Sequence, residues 1–192
     1  MTNVTTNSYT DTNLVNGTRY YYQVTAVNTS GESPKSNEAS AIPSADVRVN
    51  AGGAAYTAAD GRLFLSDRYY TGGITPYSYS TRTISGTTDP TLYLSVHYGT
   101  SFSYSLPAPN GSYTLKLHFA ECSYNASGQR LFNVSVNGTA VLTSFDVWAA
   151  AGGINKALIK TFAVTVSNGA LPISFVSVRG NAVVSAIELI AP

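Results

Sequence analysis

Two strand-patterned runs separated by a polar loop fill residues 111–138, and they constrain the fold more than any other stretch. Before the loop, apolar side chains alternate with polar ones at Tyr113, Leu115, Leu117 and Phe119. After the loop, the same alternation continues at Phe132, Val134 and Val136. A period of two is typical of a strand with one buried face. The stretch therefore predicts two β-strands joined by a loop that is headed by Ser123 and Tyr124.

Short runs of this kind recur from residue 46 to residue 190. They predict strands at 46–50, 92–96, 101–106, 112–121, 130–136, 139–143, 157–166, 171–177 and 183–190. Many of them are separated by turn dipeptides, at Asn110-Gly111, Asn137-Gly138, Asn168-Gly169 and Gly180-Asn181. No window has the periodicity of a long amphipathic helix, and only one short helical turn is predicted, at 149–153. Many short strands with hairpin turns favour an all-β fold, a β-sandwich.

A second unit precedes this domain. Apolar and polar side chains alternate from Tyr20 to Val27, which predicts a strand that follows a turn at Asn16-Gly17. A proline at position 43 ends the patterned region, and no periodicity crosses residues 43–46. We therefore divide the chain into residues 1–43 and residues 44–192.

The chain carries little charge: charged residues make up 11% of it, against roughly 25% in ordinary soluble domains. Eleven basic and ten acidic residues leave a net charge of +1 without a basic cluster. Electrostatic binding of nucleic acid is therefore excluded as a function class. No apolar run approaches the roughly 18 residues of a membrane span, so we expect no membrane insertion.

The polarity comes instead from Ser, Thr, Asn and Tyr, which is typical of a β-rich extracellular module. We expect a secreted or cell-surface location as part of a larger protein, although the polar first ten residues contain no signal peptide. The single cysteine, Cys122, rules out an intrachain disulfide and a cysteine-based zinc site, and we expect it to be a small buried apolar residue. His97 and His118 stand alone in the sequence, so we expect no metal and no cofactor.

Five features, in order along residues 46–190, resemble the malectin family of carbohydrate-binding domains. They are Val49–Gly53, Asp60–Gly73, Leu117–Glu121, Phe145–Gly153, and the Gly180-Asn181 turn with its closing strand Ala186–Leu189. The resemblance implies a jelly-roll-like β-sandwich that holds a glucose-type di- or oligosaccharide, or the end of a glucan-like polysaccharide, in loops at one end. Aromatic rings stack on the apolar C–H faces of a sugar, while amides and carboxylates bind its hydroxyl groups.

The resemblance also implies the binding residues, which come from separate loops. Tyr98, in the segment Ser95–Gly99, matches one stacking tyrosine of the family. Tyr77 matches the tyrosine of the first loop, with Tyr79 as the alternative because the local alignment is loose.

Further residues of the implied site come from the loop headed by Ser123 and Tyr124 and from the Gly180-Asn181 turn. Tyr124 matches one of the paired aromatic residues that follow the Phe119-Ala120-Glu121 segment, and Ser123 stands where a second aromatic residue is expected. Asn181 falls near the acidic ligand of the family, so it would bind sugar hydroxyls through an amide without a charge-assisted bond.

Plainer interpretations exist for each of these residues. With fourteen tyrosines in the chain, any one of them can be a core or surface residue, and Gly180-Asn181 is also an ordinary hairpin turn. Glu121 can bind a ligand or hold the loop through backbone amides, and we expect the second role.

A second resemblance concerns the first unit. Residues 1–43, with Leu14, Gly17 and Tyr20 at a strand entry, resemble the last strands of a fibronectin type III domain. A remnant of this size buries little core, so its strand edges should be exposed.

Three classes of function remain open. We expect a monomeric, non-catalytic carbohydrate-binding module. The alternatives are a protein-adhesion module and a glycoside hydrolase, which needs two carboxyl groups on either side of the scissile bond. Residues 46–192 contain seven acidic residues, and none of them forms a pair that is local in sequence.

Overall fold

The computed structural model describes residues 4–12, 14, 18–41, 43 and 46–192. The chain divides into two compact units, Met1–Ala45 and Asp46–Pro192. The turn predicted at Asn16-Gly17 lies outside the described residues, as do Ser44 and Ala45 of the predicted linker.

The first unit contains four short strands, β1 (Tyr20–Tyr22), β2 (Val27–Asn28), β3 (Gly31–Glu32) and β4 (Ala39–Ala41). β1 pairs with β4 and β2 pairs with β3, both antiparallel. The single continuous strand predicted from residue 20 to residue 27 is therefore wrong. At Val24 and Ala26 the backbone N–H groups donate to the hydroxyls of Ser36 and Ser33, each at 2.9 Å, so side chains replace a strand partner there. The apolar side chains of Val24 and Val27 are exposed, as expected for so small a sheet.

The second unit is a sandwich of two six-stranded sheets. The first sheet has the order β13-β10-β16-β5-β7-β6 and contains β5 (Val47–Asn50), β6 (Tyr56–Thr57), β7 (Leu63–Ser66), β10 (Gly111–Phe119), β13 (Leu158–Val166) and β16 (Ala186–Ile190). The second sheet has the order β12-β11-β14-β9-β15, with β8 paired to β9, and contains β8 (Tyr70–Ser78), β9 (Ser95–Pro107), β11 (Leu131–Val136), β12 (Thr139–Phe145), β14 (Ala170–Arg179) and β15 (Ala182–Val184).

Alternating apolar residues of both sheets form the core between them. Phe119 of β10 meets Phe132 of β11 across the sandwich, with ring centroids 5.9 Å apart, and Phe102 stacks on Phe175 at 4.6 Å. The predicted all-β, jelly-roll-like sandwich is confirmed. Cys122 is buried and unbridged as expected, and burial raises the pKa of its thiol to about 11.

The sequence prediction differs from the structure mainly between residues 56 and 95. β6, β7 and β8 were not predicted. In β8, Gly72, Gly73 and Pro76 interrupt the alternation of apolar and polar residues. The strand predicted at 92–96 is wrong at its start, because a 3-10 helix runs over Pro90–Tyr93 and β9 begins only at Ser95. Proline suits the first position of a helix, where its missing N–H is not needed.

One short α-helix, α1 (Val147–Ala151), lies close to the predicted helical turn. It begins at Asp146, whose carboxylate accepts a hydrogen bond from the Ala149 N–H at 3.0 Å and caps the helix. Across the described part of the chain, no helix has the length and apolar character needed to cross a membrane.

Candidate functional site

A hollow of about 160 Å³ opens where the loop between β10 and β11 meets the turn between β14 and β15. Its lining consists of Tyr77, Tyr79, Tyr98, Ser123, Tyr124, Arg130, Asn181 and Val183. All five residues singled out from the sequence, and the alternative Tyr79, therefore lie around one hollow. Three strands and two connections bring them together from a span of more than 100 residues.

Tyr98 lines the hollow from strand β9. Its strand, β9, lies between β8 and β15, and Tyr98 is paired with Ile74 on one side and Val183 on the other. The ring of Tyr77 meets the ring of Tyr98 edge to face, with centroids 5.7 Å apart and planes at 79°. Such T-shaped contacts fix the relative orientation of two rings.

Tyr77 and Tyr79 are both at the site, but they are presented differently. Tyr77 is 47% exposed, whereas Tyr79 is 9% exposed and packs against Tyr77 at 4.8 Å. The Tyr79 hydroxyl is hydrogen-bonded to the Ser123 hydroxyl at 2.8 Å. Burial raises the pKa of Tyr79, against the opposing effects of Ser123 and Arg130, so this hydroxyl stays protonated. Tyr77 thus offers a ring to a ligand, while Tyr79 supports the ring and the loop.

Glu121 holds the loop from behind. Its Oε1 accepts hydrogen bonds from the backbone N–H groups of Ser123 and Tyr124, at 2.9 and 3.1 Å. Glu121 itself is 1% exposed and does not line the hollow. The prediction that Glu121 holds the loop through backbone amides is confirmed.

Arg130 joins the loop to the β14–β15 turn, and the sequence reasoning missed it. Its Nε donates to Oε2 of Glu121 at 2.6 Å, and its Nη1 donates to the Asn181 carbonyl at 2.5 Å. Its guanidinium lies 4.9 Å from the centroid of the Tyr124 ring, within the range of a cation–π contact. The available signal was an arginine at the start of the strand predicted at 130–136, nine residues after Glu121, which was expected to hold the loop.

The turn between β14 and β15 requires glycine. Gly180 has φ = 65°, a left-handed conformation that side chains disfavour. A Cβ added there would lie 3.2 Å from the Gln129 carbonyl oxygen and 3.3 Å from the Tyr124 hydroxyl. Close contact between this turn and Tyr124 therefore depends on the absence of a side chain at position 180.

Several polar groups at the hollow are not used within the protein. Across the described ranges, the hydroxyls of Tyr77, Tyr98 and Tyr124 and the side-chain amide of Asn181 have no hydrogen-bond partner. By contrast, the hydroxyls of the core tyrosines are bonded, as in Tyr104 to Asp67 at 2.7 Å. Aromatic rings beside free hydroxyl and amide groups can bind a molecule that has both apolar C–H faces and hydroxyls.

Both histidines lie outside this hollow. His118 connects Tyr93 to Glu188, with both hydrogen bonds at 2.9 Å, beside a larger hollow of about 550 Å³. His97 is bonded to Asp67 at 2.9 Å. In the part of the chain that the structure describes, no group of three His, Cys, Asp or Glu side chains is placed to hold a metal.

Comparison with known proteins identifies the second unit. The Malectin domain family matches residues 45–188. The kinesin-like protein KIN-14E of Oryza sativa subsp. japonica is 36% identical over 150 residues, which cover 72% of this chain and 14% of that protein. Receptor-like protein 4 of Arabidopsis thaliana is 36% identical over 91 residues, covering 45% of this chain and 14% of that protein. The chain thus spans a small part of the length of these relatives.

Two solved structures with the same fold come from different kinds of protein. A Bacteroides uniformis β-glucuronidase superposes with a TM-score of 0.67 at 21% identity, covering 91% of this chain and 22% of that one. The extracellular domain of ANXUR2 from Arabidopsis thaliana superposes with a TM-score of 0.66 at 18% identity, covering 76% of this chain and 49% of that one. At such identities the likeness extends to the fold alone.

Proposed function

The chain belongs to the malectin domain family over residues 45–188, a family of carbohydrate-binding type, and we propose that it binds glucose-type di- or oligosaccharides without catalysis. The observation that carries the proposal is the convergence of three tyrosine rings and four unbonded polar groups on one hollow. The rings of Tyr77, Tyr98 and Tyr124 stack on the C–H faces of the sugar. The Asn181 amide and the tyrosine hydroxyls bind its hydroxyl groups and set its orientation.

The hollow is small, and its size indicates how much of a glycan it takes. Its volume of about 160 Å³ is well below the roughly 300–1,000 Å³ of sites that enclose a drug-sized ligand. We therefore propose that one sugar ring, at the end of an α- or β-linked glucan, enters the hollow while the rest of the chain stays in solvent. A single such site binds weakly, and a parent protein with several binding modules gains strength through avidity.

The proposal that the site does not hydrolyse its ligand is based on the positions of the acidic residues. Glycoside hydrolysis uses two carboxyl groups roughly 5–10 Å apart on either side of the scissile bond. The eight side chains that line the hollow include no carboxylate, and Glu121, which holds the loop, is already bonded to Arg130 and to two backbone amides. Incubation of the protein with p-nitrophenyl glucosides should release no nitrophenol. Release of nitrophenol above that of a control without protein would contradict this part of the proposal.

A protein-adhesion role is the second candidate, because one surface strand favours it. β8, the strand that carries Tyr77, presents Tyr70 and Ile74, which are 42% and 55% exposed. Exposed apolar side chains grouped on one strand are typical of an interaction surface. A glycan array separates the two roles: the carbohydrate proposal requires binding to a defined set of glucose-containing glycans, and loss of that binding in Tyr124→Ala.

We further propose that the module acts outside the cell, as a monomeric part of a larger protein. Support comes from the low charge of the chain and from ANXUR2, whose matched structure is an extracellular domain. The resemblance of residues 1–43 to the last strands of a fibronectin type III domain stays a prediction, and it would make that unit a spacer.

A further inference from the structure

Arg130 has hydrogen-bond donors that the protein does not use. Its guanidinium carries five N–H groups. One on Nε and one on Nη2 donate to Glu121, at 2.6 and 3.3 Å, and one on Nη1 donates to the Asn181 carbonyl at 2.5 Å. The other two, one on Nη1 and one on Nη2, have no acceptor among the residues that the structure describes. Arg130 is 6% exposed and lines the hollow, so these two donors can bind an acceptor that enters the hollow.

The charges around the hollow are arranged asymmetrically. Arg130 is the one charged residue among the eight that line it, while the carboxylate of Glu121 lies behind the wall and is 1% exposed. Both oxygens of that carboxylate are already occupied, Oε1 by two backbone N–H groups and Oε2 by Nε of Arg130. The ion pair therefore presents its positive side to a ligand. The other polar side chains of the lining are hydroxyls and an amide, which do not repel an anion.

Two more arginines lie near the loop. The backbone N–H of Arg82 donates to the carbonyl of Tyr79, a residue of the lining, at 2.8 Å. Arg179 donates to the Gly128 carbonyl at 3.0 Å, at the far end of the loop. Neither Arg82 nor Arg179 has a carboxylate partner in the described ranges. The carboxylate of Asp146, which contacts the loop, accepts hydrogen bonds from Ser127 and Gly128.

We propose that this hollow prefers a glucose-type ring that carries a carboxylate, a glucuronate unit, over the corresponding neutral ring. Arg130 is the residue that discriminates between them, since its two free N–H groups bind the carboxylate while the ring stacks on the tyrosines. A carboxylate can accept both N–H groups at once as a bidentate pair of opposite charge, whereas a neutral hydroxyl group accepts without a counter-charge. This inference rests on the proposed carbohydrate-binding function and specifies its ligand.

The test compares two ligands that differ only at C6, methyl β-D-glucopyranoside and methyl β-D-glucuronide. Both are titrated into the full chain and followed by nuclear magnetic resonance, and the readout is the ratio of their dissociation constants. We expect the glucuronide to bind roughly five- to tenfold more tightly at low salt. The ratio should decrease toward one as sodium chloride is raised to about 0.5 M, because salt screens the charge interaction.

The matched variant is Asn181→Asp, which keeps the size of a half-buried side chain and places a carboxylate in the hollow beside Arg130. The ratio should reverse, so that the glucoside binds more tightly than the glucuronide. Sodium acetate at the same concentration should not displace the glucuronide, since a free carboxylate lacks the ring that stacks on the tyrosines.

Equal affinity of the two glycosides, a preference that survives in Asn181→Asp, or displacement by acetate would each overturn the inference and leave the proposed function standing. Failure of both glycosides and of longer glucans to bind would instead overturn the proposed function, and this inference with it.

Discussion

Glu121 and Arg130 form a buried ion pair, with 2.6 Å between Oε2 and Nε, directly behind the wall of the hollow. Glu121 fixes the backbone of Tyr124, and Arg130 lies over the Tyr124 ring and holds the Asn181 carbonyl. One ion pair thus positions both the β10–β11 loop and the β14–β15 turn, which are distant from each other in the sequence. A binding site built from loops needs such support to keep its geometry before the ligand arrives.

Loss of this pair should therefore cost stability as well as binding. In Glu121→Gln, Arg130 keeps a buried charge without a counter-charge, and we expect the free energy of unfolding to fall by about 3–5 kcal/mol. Urea unfolding followed by the fluorescence of Trp148, the single tryptophan, measures it. Asp60→Asn, which removes an exposed ion pair with Arg62, is the control and should cost far less. Equal effects of the two substitutions would show that the buried pair does not hold the loop.

Gly180→Ala should weaken sugar binding, and the loss of stability alone should not account for the weaker binding. The left-handed backbone costs alanine about 1–2 kcal/mol, and the new Cβ must also move the Tyr124 hydroxyl or the Gln129 carbonyl. Gly169→Ala is the matched control, because Gly169 has φ = 74° but no atom within 4 Å of the added Cβ. Both variants should lose stability in urea, Gly180→Ala somewhat more because of these contacts, and only Gly180→Ala should lose binding. Identical binding by the two variants would mean that the turn does not position Tyr124.

Tyr124→Ala should abolish sugar binding while leaving the domain folded. Tyr124 is half-buried at the edge of the sandwich, so we expect a change within about 1 kcal/mol in the free energy of unfolding. Tyr21→Ala is the control, since it removes a tyrosine that is 62% exposed in the first unit and should leave binding unchanged. Unfolding of the Tyr124→Ala variant would instead make Tyr124 a core residue and the site misplaced.

The sequence predicted the members of the hollow better than it predicted the strands that carry them. Tyr77, Tyr98, Tyr124 and Asn181 were identified by resemblance, and the structure brings them together. β8, which carries Tyr77, was not predicted because Gly72 and Gly73 break the two-residue period that identifies a strand. A family pattern survives such interruptions, whereas periodicity does not.

The residues behind the lining were harder to predict for a different reason. Arg130 lies in a stretch that reads as an ordinary polar strand entry, and its role depends on Glu121 and the Asn181 carbonyl, which is 51 residues away. The buried chain from Tyr93 through His118 to Glu188 also joins three distant segments. A single sequence contains no local signal for such long-range pairs, since both members look like surface residues until the fold is known.

Acid should destabilise the sandwich through Glu188. Burial alone would raise the pKa of this carboxyl, but His118 and Arg62 outweigh burial and lower the pKa from 4.5 to about 2. The stabilisation is thus fully present above pH 4.5 and is lost as the pH falls toward 2, an expected decrease of about 3 kcal/mol. Urea unfolding between pH 2 and 7 measures this, and Glu188→Gln should flatten the curve in that window. Glu38→Gln, at an exposed site, should leave the curve unchanged, and an equally steep curve in Glu188→Gln would exclude Glu188 as the cause.

The central claim is that the hollow around Tyr98 and Tyr124 binds a sugar. Titration of the full chain with glucose, maltose, cellobiose and their glucuronate counterparts, followed by nuclear magnetic resonance of the tyrosine rings, tests it most directly. We predict saturable shifts at millimolar concentrations or below for at least one of these ligands, and their loss in Tyr124→Ala. No binding of any saccharide at millimolar concentrations, or binding that persists unchanged in Tyr124→Ala, would contradict the account.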